Sequence, residues 1–364
     1  MSSDGGSVIE IQGRRLKLSN LDKVLYPKPG FTKAQVIDYY VRIAPVLLPH
    51  LRDRPLTMKR YPEGVDGAFF YEKNCPAHRP PWVKTASVWS EGNQRWMEYC
   101  LIQDLPTLVW AANLADLELH TSLSLYSEVS RPTAIVFDLD PGEPASMVQC
   151  CQVGLLVRRV FRQFRMEAFA KTSGSKGLQV YAPLNTAVGY DETKSFAHEL
   201  AKLLERAYPA LVVSDMKKVL RAGKVLVDWS QNDDHKTTVC VYSLRAKEYP
   251  TVSTPVTWDE VEDCWRRGQP ELLAFTSGQA LNRAEEFDDL FAPVLTLQQQ
   301  LPAAGELSHF DLTGQTASET AAPPARKPAG KRIAAEERKR SRKSRKPHRN
   351  DKETQPAGGN QQAA

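Results

Sequence analysis

The stretch Ala134-Ile135-Val136-Phe137-Asp138-Leu139-Asp140-Pro141-Gly142 constrains this chain more than any other. β-Branched and aromatic residues lead up to two aspartates one residue apart, and Pro-Gly then imposes a turn. The segment reads as a buried strand with an acidic end. Strand alternation puts Asp138 and Asp140 on one face. Carboxylates that close repel, raising one pKa, unless positive charge lies between them. A hard divalent cation, which takes oxygen ligands and bridges to phosphates, is the simplest occupant. For the pair alone, an exposed acidic strand end before a turn is the alternative.

At 364 residues the chain suffices for one large domain or two ordinary ones. Its 41% hydrophobic and 25% charged residues are those of a soluble globular protein. No run approaches the roughly 20 apolar residues of a membrane span, and the start lacks a signal-peptide layout. A cytoplasmic protein with no membrane partner is expected. Cys75, Cys100, Cys150, Cys151, Cys240 and Cys264 form no Cys-x-x-Cys pair and read as reduced, buried small hydrophobes. Cys75-Pro-Ala-His78 has one possible zinc spacing, but no second pair accompanies it.

Continuous structure is expected over residues 8–300. Thr32-Lys33-Ala34-Gln35 fits a capping box, followed by Val36, Tyr39, Tyr40, Ile43 and Leu47 at helical spacing. Helices are also expected around 110–115, over 144–166 and from about 192 to 208. Strands are expected at 117–120, 134–140, 167–171, 178–181, 224–229 and 237–242. This mixture predicts an α+β (mixed α/β) layered fold. From Gly314 onward 13 Lys/Arg face 5 Asp/Glu, whereas the rest carries 35 basic and 38 acidic residues. Residues 314–364 contain almost no large apolar side chain and are expected to be a disordered basic tail that contacts a polyanion.

Two further segments bear on the acidic strand. Ser173-Gly174-Ser175-Lys176-Gly177 is a small-residue turn between β runs, able to approach a phosphate with backbone, hydroxyls and one ammonium. It is not a Walker loop, since no helix follows. Val225-Leu226-Val227-Asp228-Trp229 sets a lone acid into an apolar run, which is costly unless it binds a metal or pairs with a neighbour such as Arg221 or Lys224. Together these supply carboxylates for two metals and a triphosphate cradle, the equipment of two-metal nucleotidyl transfer. His120 and Arg245 are additional phosphate-contact candidates, and either could equally be structural.

The motifs Leu-Glu-Leu-His120, Val-Phe-Asp138-Leu-Asp140-Pro-Gly, Lys-Thr-Ser173-Gly-Ser-Lys176-Gly-Leu and Gly-Lys-Val-Leu-Val-Asp228-Trp resemble the polymerase domain of bacterial DNA ligase D, of the archaeo-eukaryotic primase superfamily. The ends match as well, at Leu18-Ser19-Asn20-Leu21-Asp22-Lys23-Val24-Leu25-Tyr26-Pro27 and at Thr254-Pro255-Val256-Thr257-Trp258-Asp259-Glu260, and the likeness covers residues 8–300 in register. It implies a primase-polymerase fold with a central, mostly antiparallel sheet flanked by helices. The N-terminal part would run to about 130 and the catalytic core from 131 to 300. It implies two divalent ions, Mn²⁺ or Mg²⁺, on Asp138, Asp140 and Asp228. Nucleotide contacts would come from His120, Ser173, Lys176 and Arg245, with Lys59, Arg221 and Gln231 carried over more weakly. A 5′-phosphate pocket would use Asn20, Lys23 and Lys33, and Phe70 and Tyr71 would stack on the template; ordinary core packing is the alternative for that pair.

The resemblance also implies gapped or broken duplex DNA, NTPs and dNTPs as substrates, with ready use of ribonucleotides. Family members often carry His where this chain has Gln179, and an amide can bond a phosphate but cannot carry charge. No Lys-x-Asp-Gly is present. A stand-alone polymerase is therefore expected, served by a separate ATP-dependent ligase such as the ligase C type, with a bacterial Ku-like end-binding protein as a further candidate partner. Two other readings compete. One is a non-catalytic DNA-end-binding module. The other is a haloacid-dehalogenase-like phosphatase, which wants Gly-Thr where Pro141-Gly142 stands.

Overall fold

A computed structural model of the chain describes residues 7–310 and Leu312. The expected basic tail lies outside the described residues. The acidic strand, Ala134–Pro141, runs through the interior of a six-stranded sheet. Its neighbours are Val225–Asp228 on one side and Leu178–Pro183 on the other, both antiparallel to it. Phe169–Thr172 and Pro255–Val256 extend the second side, and Val212–Val213 closes the first with the sheet's one parallel pairing. An α+β fold with mostly antiparallel sheets flanked by helices is thus observed.

Alternation then sorts the side chains. Ile135, Phe137 and Leu139 pack under the helices Met147–Gln163 and Tyr190–Ala207, with Val157, Phe161, Phe196 and Leu200. Ala134 and Val136 face the other way and join a second core. Asp138 and Asp140 continue that second face, where the apolar packing stops.

The second core belongs to another antiparallel sheet, ordered Thr238–Val239, Asp116–Thr121, Leu56–Arg60, Arg95–Cys100, Thr85–Ser90; Phe70–Glu72 also pairs with Leu56–Arg60. The helix Lys33–Leu51 lies against it and begins at the capping box of Thr32 and Gln35. Its Val36, Tyr39, Tyr40, Ile43 and Leu47 are all buried. The Tyr40 hydroxyl donates to Leu117 O at 2.8 Å and accepts from Leu244 N at 3.2 Å. One side chain so joins the helix, the strand that carries His120 and the segment that carries Arg245.

Several expected elements differ at their edges. The helix expected from Pro144 starts at Met147, because Ser146 caps it with Gln149. The strand expected over 167–171 is Phe169–Thr172. Of the run expected over 237–242, only Thr238–Val239 joins a ladder, crossing back onto the first-described strands' opposite sheet beside His120 and Thr121. The cysteines need a larger correction. Cys75 and Cys100 form a disulfide, while Cys150, Cys151, Cys240 and Cys264 are buried free thiols. Cys75 N donates to Glu98 O, which brings the two Cα atoms to 5.0 Å, within bridging range. A spacing of 25 residues carries no such signal in the sequence. No described helix is long and apolar enough to cross a membrane.

Tyr40→Phe deprives a buried carbonyl and a buried N–H of their shared partner, so it should cost about 1–3 kcal/mol. Urea unfolding should show a lower midpoint with the slope unchanged; an unaltered midpoint would mean these groups do not depend on the hydroxyl.

Candidate active site

Register places the acids. Asp138 is directly opposed by Asp228 on one neighbouring strand and by Gln179 on the other, and Gln179 is opposed in turn by Lys171. Residues directly opposed across an antiparallel pair share a face with Cβ atoms about 4.5–5.5 Å apart. Lys171, Gln179, Asp138 and Asp228 therefore form one lateral row across four strands, and Asp140 lies two residues further along.

Asp138 is pushed up to about 7, first by burial and then by Asp140 and Asp228, against a hydrogen bond from Gln179. Asp140 is also raised by burial and by Asp228, while Arg221 and Arg245 oppose the rise. Asp138 Oδ1 is buried with no hydrogen-bond partner. A cluster of hard oxygen donors that holds protons near neutral pH and leaves one carboxylate oxygen unpartnered fits a divalent cation. Asp228 is more fully engaged, since its Oδ1 accepts from Ser230 N and Oγ and its Oδ2 from Gln231 Nε2 at 2.9 Å. Among the described residues, the acidic group whose ligand atoms all lie within 4.8 Å of one another is elsewhere, at Asp233, Asp234 and His235. There Lys194 Nζ already pairs with Asp233, and His235 Nδ1 lies 2.8 Å from Asp233 and 2.6 Å from Asp234.

A second row forms on the other sheet. Lys59 is opposed by Tyr71 on one side and by Glu118 on the other. Glu118, almost fully buried, accepts from His120 Nε2 at 3.0 Å, lies 3.4 Å from both Lys59 Nζ and Arg245 Nε, and takes the Ala246 N–H at 3.0 Å. Burial alone would raise its carboxyl, but the His120 bond and the Arg245, His120 and Lys59 charges outweigh this and hold it well below the usual range. Burial lowers His120, with Glu118 pulling the other way. Lys59 is also caged by Tyr61, Phe69 and Tyr71, 4.6–5.5 Å from the ring centres.

Asp138 and Gln179 of the first row and Tyr71 of the second line one cleft of about 520 Å³, the size of a small-ligand site. Its walls include His120, Asp138, Asp140, Ser173, Lys176, Arg221, Gln231 and Arg245 together with Tyr71 and Gln179. Of the remaining metal and nucleotide candidates, Asp228 reaches the cleft through Gln231, and Lys59 stands behind His120 on Glu118.

The small-residue turn closes the cleft's edge. Ser173 Oγ accepts from Ser175 N and Gly177 N, so this hydroxyl shapes the turn. Arg245 donates to Ser173 O. A Cβ at Gly177 would come within 2.3 Å of Leu139 O, so only glycine lets the turn lie against the acidic strand. Gly142 plays the same part, because a Cβ there would sit 1.9 Å from the carbonyl of Arg221. Lys176 is exposed and pairs with Glu143 at 2.7 Å.

Asn20, Lys23 and Lys33 come together at the start of the first long helix. Asn20 adopts the left-handed conformation its side chain tolerates, and its carbonyl accepts from Lys23 N. Lys33 is buried, donates to Ser19 O at 2.7 Å, and is lowered to about 8 by burial, Lys23 and Arg60. Arg60 thus joins the basic cluster. Phe70 and Tyr71 are both exposed, which sets aside core packing for the pair. Alternation nevertheless splits them. Phe70 lies opposite Arg60, whose guanidinium is 5.1 Å from its ring, while Tyr71 faces Lys59 and the cleft beside His120. Phe69, not Phe70, is the aromatic partner of Tyr71.

Sequence reasoning missed Glu118, Lys171, Arg60 and Phe69 as site residues. Glu118 stands two before His120 on a strand, the same spacing that paired Asp138 with Asp140. Lys171 is a lone charge inside a β run, the same signal that singled out Asp228.

The sequence pattern of the LigD primase-polymerase domain matches residues 32–291. The multifunctional non-homologous end joining protein LigD of Mycolicibacterium smegmatis is 41% identical over 298 residues, 81% of this chain and 38% of that protein. The bifunctional non-homologous end joining protein LigD of Bacillus subtilis is 32% identical over 249 residues, 68% of this chain and 40% of that protein. The chain thus spans about two fifths of the length of the curated relatives it matches. The polymerase domain of Mycobacterium tuberculosis ligase D, solved in complex with DNA, superposes with a TM-score of 0.71 at 39% identity, covering 78% of this chain and 99% of that one.

The ion-free protein should lose stability as its acids ionise. Folded, Asp138 keeps its proton to about pH 7, whereas unfolded it releases it near pH 4. Between those values the folded state binds the extra proton, so its stability falls as pH rises through the window. Asp138→Asn should remove this slope, and its Tm advantage over the wild type in chelator should grow from about pH 4 to about pH 7. A pH-independent difference would contradict the raised pKa.

Proposed function

Since this chain belongs to the LigD primase-polymerase domain family, we propose that it is a template-dependent nucleotidyltransferase that fills short gaps at DNA ends or breaks with NTPs or dNTPs. The observation that carries this reading is one cleft lined by Asp138 and Asp140 together with His120 and Arg245, the latter two held by Glu118. Asp138, Asp140 and Asp228 would hold two divalent ions, Mn²⁺ or Mg²⁺. Such ions acidify an attacking 3′-hydroxyl and offset charge on departing pyrophosphate.

The chain's own residues supply the remainder. His120 and Arg245, drawn together by Glu118, face the position of a triphosphate, with Lys59 adding charge from behind. The Ser173-to-Lys176 turn offers backbone and one exposed ammonium from the edge, and Arg221 lies beside Asp140. Glu118 fixes where the His120 ring and the Arg245 guanidinium stand before any phosphate arrives. Tyr71 and Phe69 are exposed aromatic side chains at the cleft's cationic side, available for base stacking, which is worth about 1–3 kcal/mol per base.

The second anion site deepens the reading. Successive residues of one strand serve both places, Lys59 the cleft and Arg60 the Lys23/Lys33 cluster. With Asn20, that cluster would grip the 5′-phosphate beyond a gap. The M. tuberculosis polymerase domain was solved with DNA, and the LigD relatives are named for non-homologous end joining. We place this chain in the same repair chemistry, working with a separate ATP-dependent ligase and a Ku-like end-binding protein.

Primer extension on a short gapped duplex with Mn²⁺ tests the reaction. The wild type should extend with NTPs and with dNTPs, and Asp138→Ala/Asp140→Ala should give no product while still binding the gap. Failure of the wild type to extend, alongside tight binding to 5′-phosphorylated gaps, would leave a non-catalytic end-binding module. In the same assay Lys23→Ala/Lys33→Ala should reduce the preference for a 5′-phosphate over a 5′-hydroxyl gap. Loss of a charged hydrogen bond costs about 1.5–3 kcal/mol, or roughly 10- to 100-fold. An undiminished preference would move the pocket elsewhere.

A further inference from the structure

Lys171 is fully buried at the end of the row beyond Gln179 and does not line the cleft. A buried ammonium persists only when its protons are matched. Here they go to Gln179 Oε1, to Val239 O at 3.0 Å and to Ser253 Oγ at 2.8 Å, and Ser253 Oγ passes its own proton to Thr172 O. An ammonium has donors only, so it dictates which end of the Gln179 amide it meets. That end is the oxygen. The amide nitrogen is then left for the other side, where Asp138 is the directly opposed residue on the next strand. An ionised Asp138, as an ion ligand must be, would meet a donor there and not a second acceptor. The row so runs from donor to acceptor in one direction, and it leaves Asp138 Oδ1 as the oxygen without a partner.

We propose that Lys171 and Gln179 are positioning residues for Asp138, the lysine acting through the amide to fix the carboxylate with Oδ1 open to a divalent cation. This assigns the glutamine a place behind the ion and not on a phosphate. A histidine at position 179 could present either ring tautomer to its two neighbours, whereas the amide between an ammonium and a carboxylate has one orientation. The inference rests on the reading of Asp138 as an ion ligand and extends it to Gln179 in the cleft wall and to Lys171, which does not line the cleft.

The experiment is Mn²⁺ binding to the full chain without nucleotide, followed by the electron paramagnetic resonance signal of free Mn²⁺. Wild type, Lys171→Met, Gln179→Met, their double variant and Asp138→Asn are compared, with Tm in chelator as the folding control. Each single variant should lose about tenfold in Mn²⁺ affinity, as loss of a group that orients a ligand does. The double variant should lose no more than the worse single one, because the lysine works through the amide. Tm of Lys171→Met should hold or rise, since a buried charge is removed. Unchanged Mn²⁺ affinity in either folded single variant, or losses that multiply in the double, would overturn the proposal. If Lys171→Met does not fold, Gln179→Met decides by the same affinity. Wild-type Mn²⁺ binding in Asp138→Asn would overturn the ion-ligand reading itself; its loss there, with the other variants unaffected, overturns this proposal alone.

Discussion

Antiparallel register around the Ala134–Pro141 strand is the constraint on which the site depends. Asp138 meets Asp228 on one side and Gln179 on the other because three strands pair without slippage. A shift of one residue would turn Phe137 and Leu139 toward the cleft and bury the aspartates under the helices. The apolar alternation of the strand therefore does two jobs with one pattern. Its odd-numbered residues fill the helix-covered core, and that burial fixes where the even-numbered acids point.

Charge is arranged to match. One wall of the cleft crowds Asp138 and Asp140 until their protons are hard to remove. The other gathers His120, Lys59 and Arg245 on the single carboxylate of Glu118, leaving a surplus of positive charge. The two walls would repel nothing between them that carries divalent cations at one end and phosphates at the other. Gly142 and Gly177 allow this approach, because each touches backbone where no side chain fits.

Much of the site was legible by local rules. Spacing of two on a strand linked Asp138 to Asp140, the cost of burying a lone acid marked Asp228, and small residues flanking Lys176 marked the turn. The capping box at Thr32 and the helical spacing from Val36 to Leu47 read correctly for the same reason: each is decided within a few residues. The Cys75–Cys100 disulfide was not legible, since partners 25 residues apart are chosen by the strand pairing that brings Cys75 to Glu98. Nor was the parting of Phe70 from Tyr71, although they are neighbours. Pairing with Leu56–Arg60 decided which ring meets Arg60 and which meets Lys59.

The sequence by itself determined the α+β class, the acidic strand and the kinds of side chain available for phosphate and metal chemistry. These follow from periodicity and residue chemistry, which act over short distances along the chain. Tertiary structure alone decided that Lys171, Gln179, Asp138 and Asp228 form one row, and that Glu118 gathers Lys59, Arg245 and the His120 ring. Lateral neighbours in a sheet are set by register between strands far apart in sequence, and burial then turns those contacts into shifted pKa values and fixed orientations.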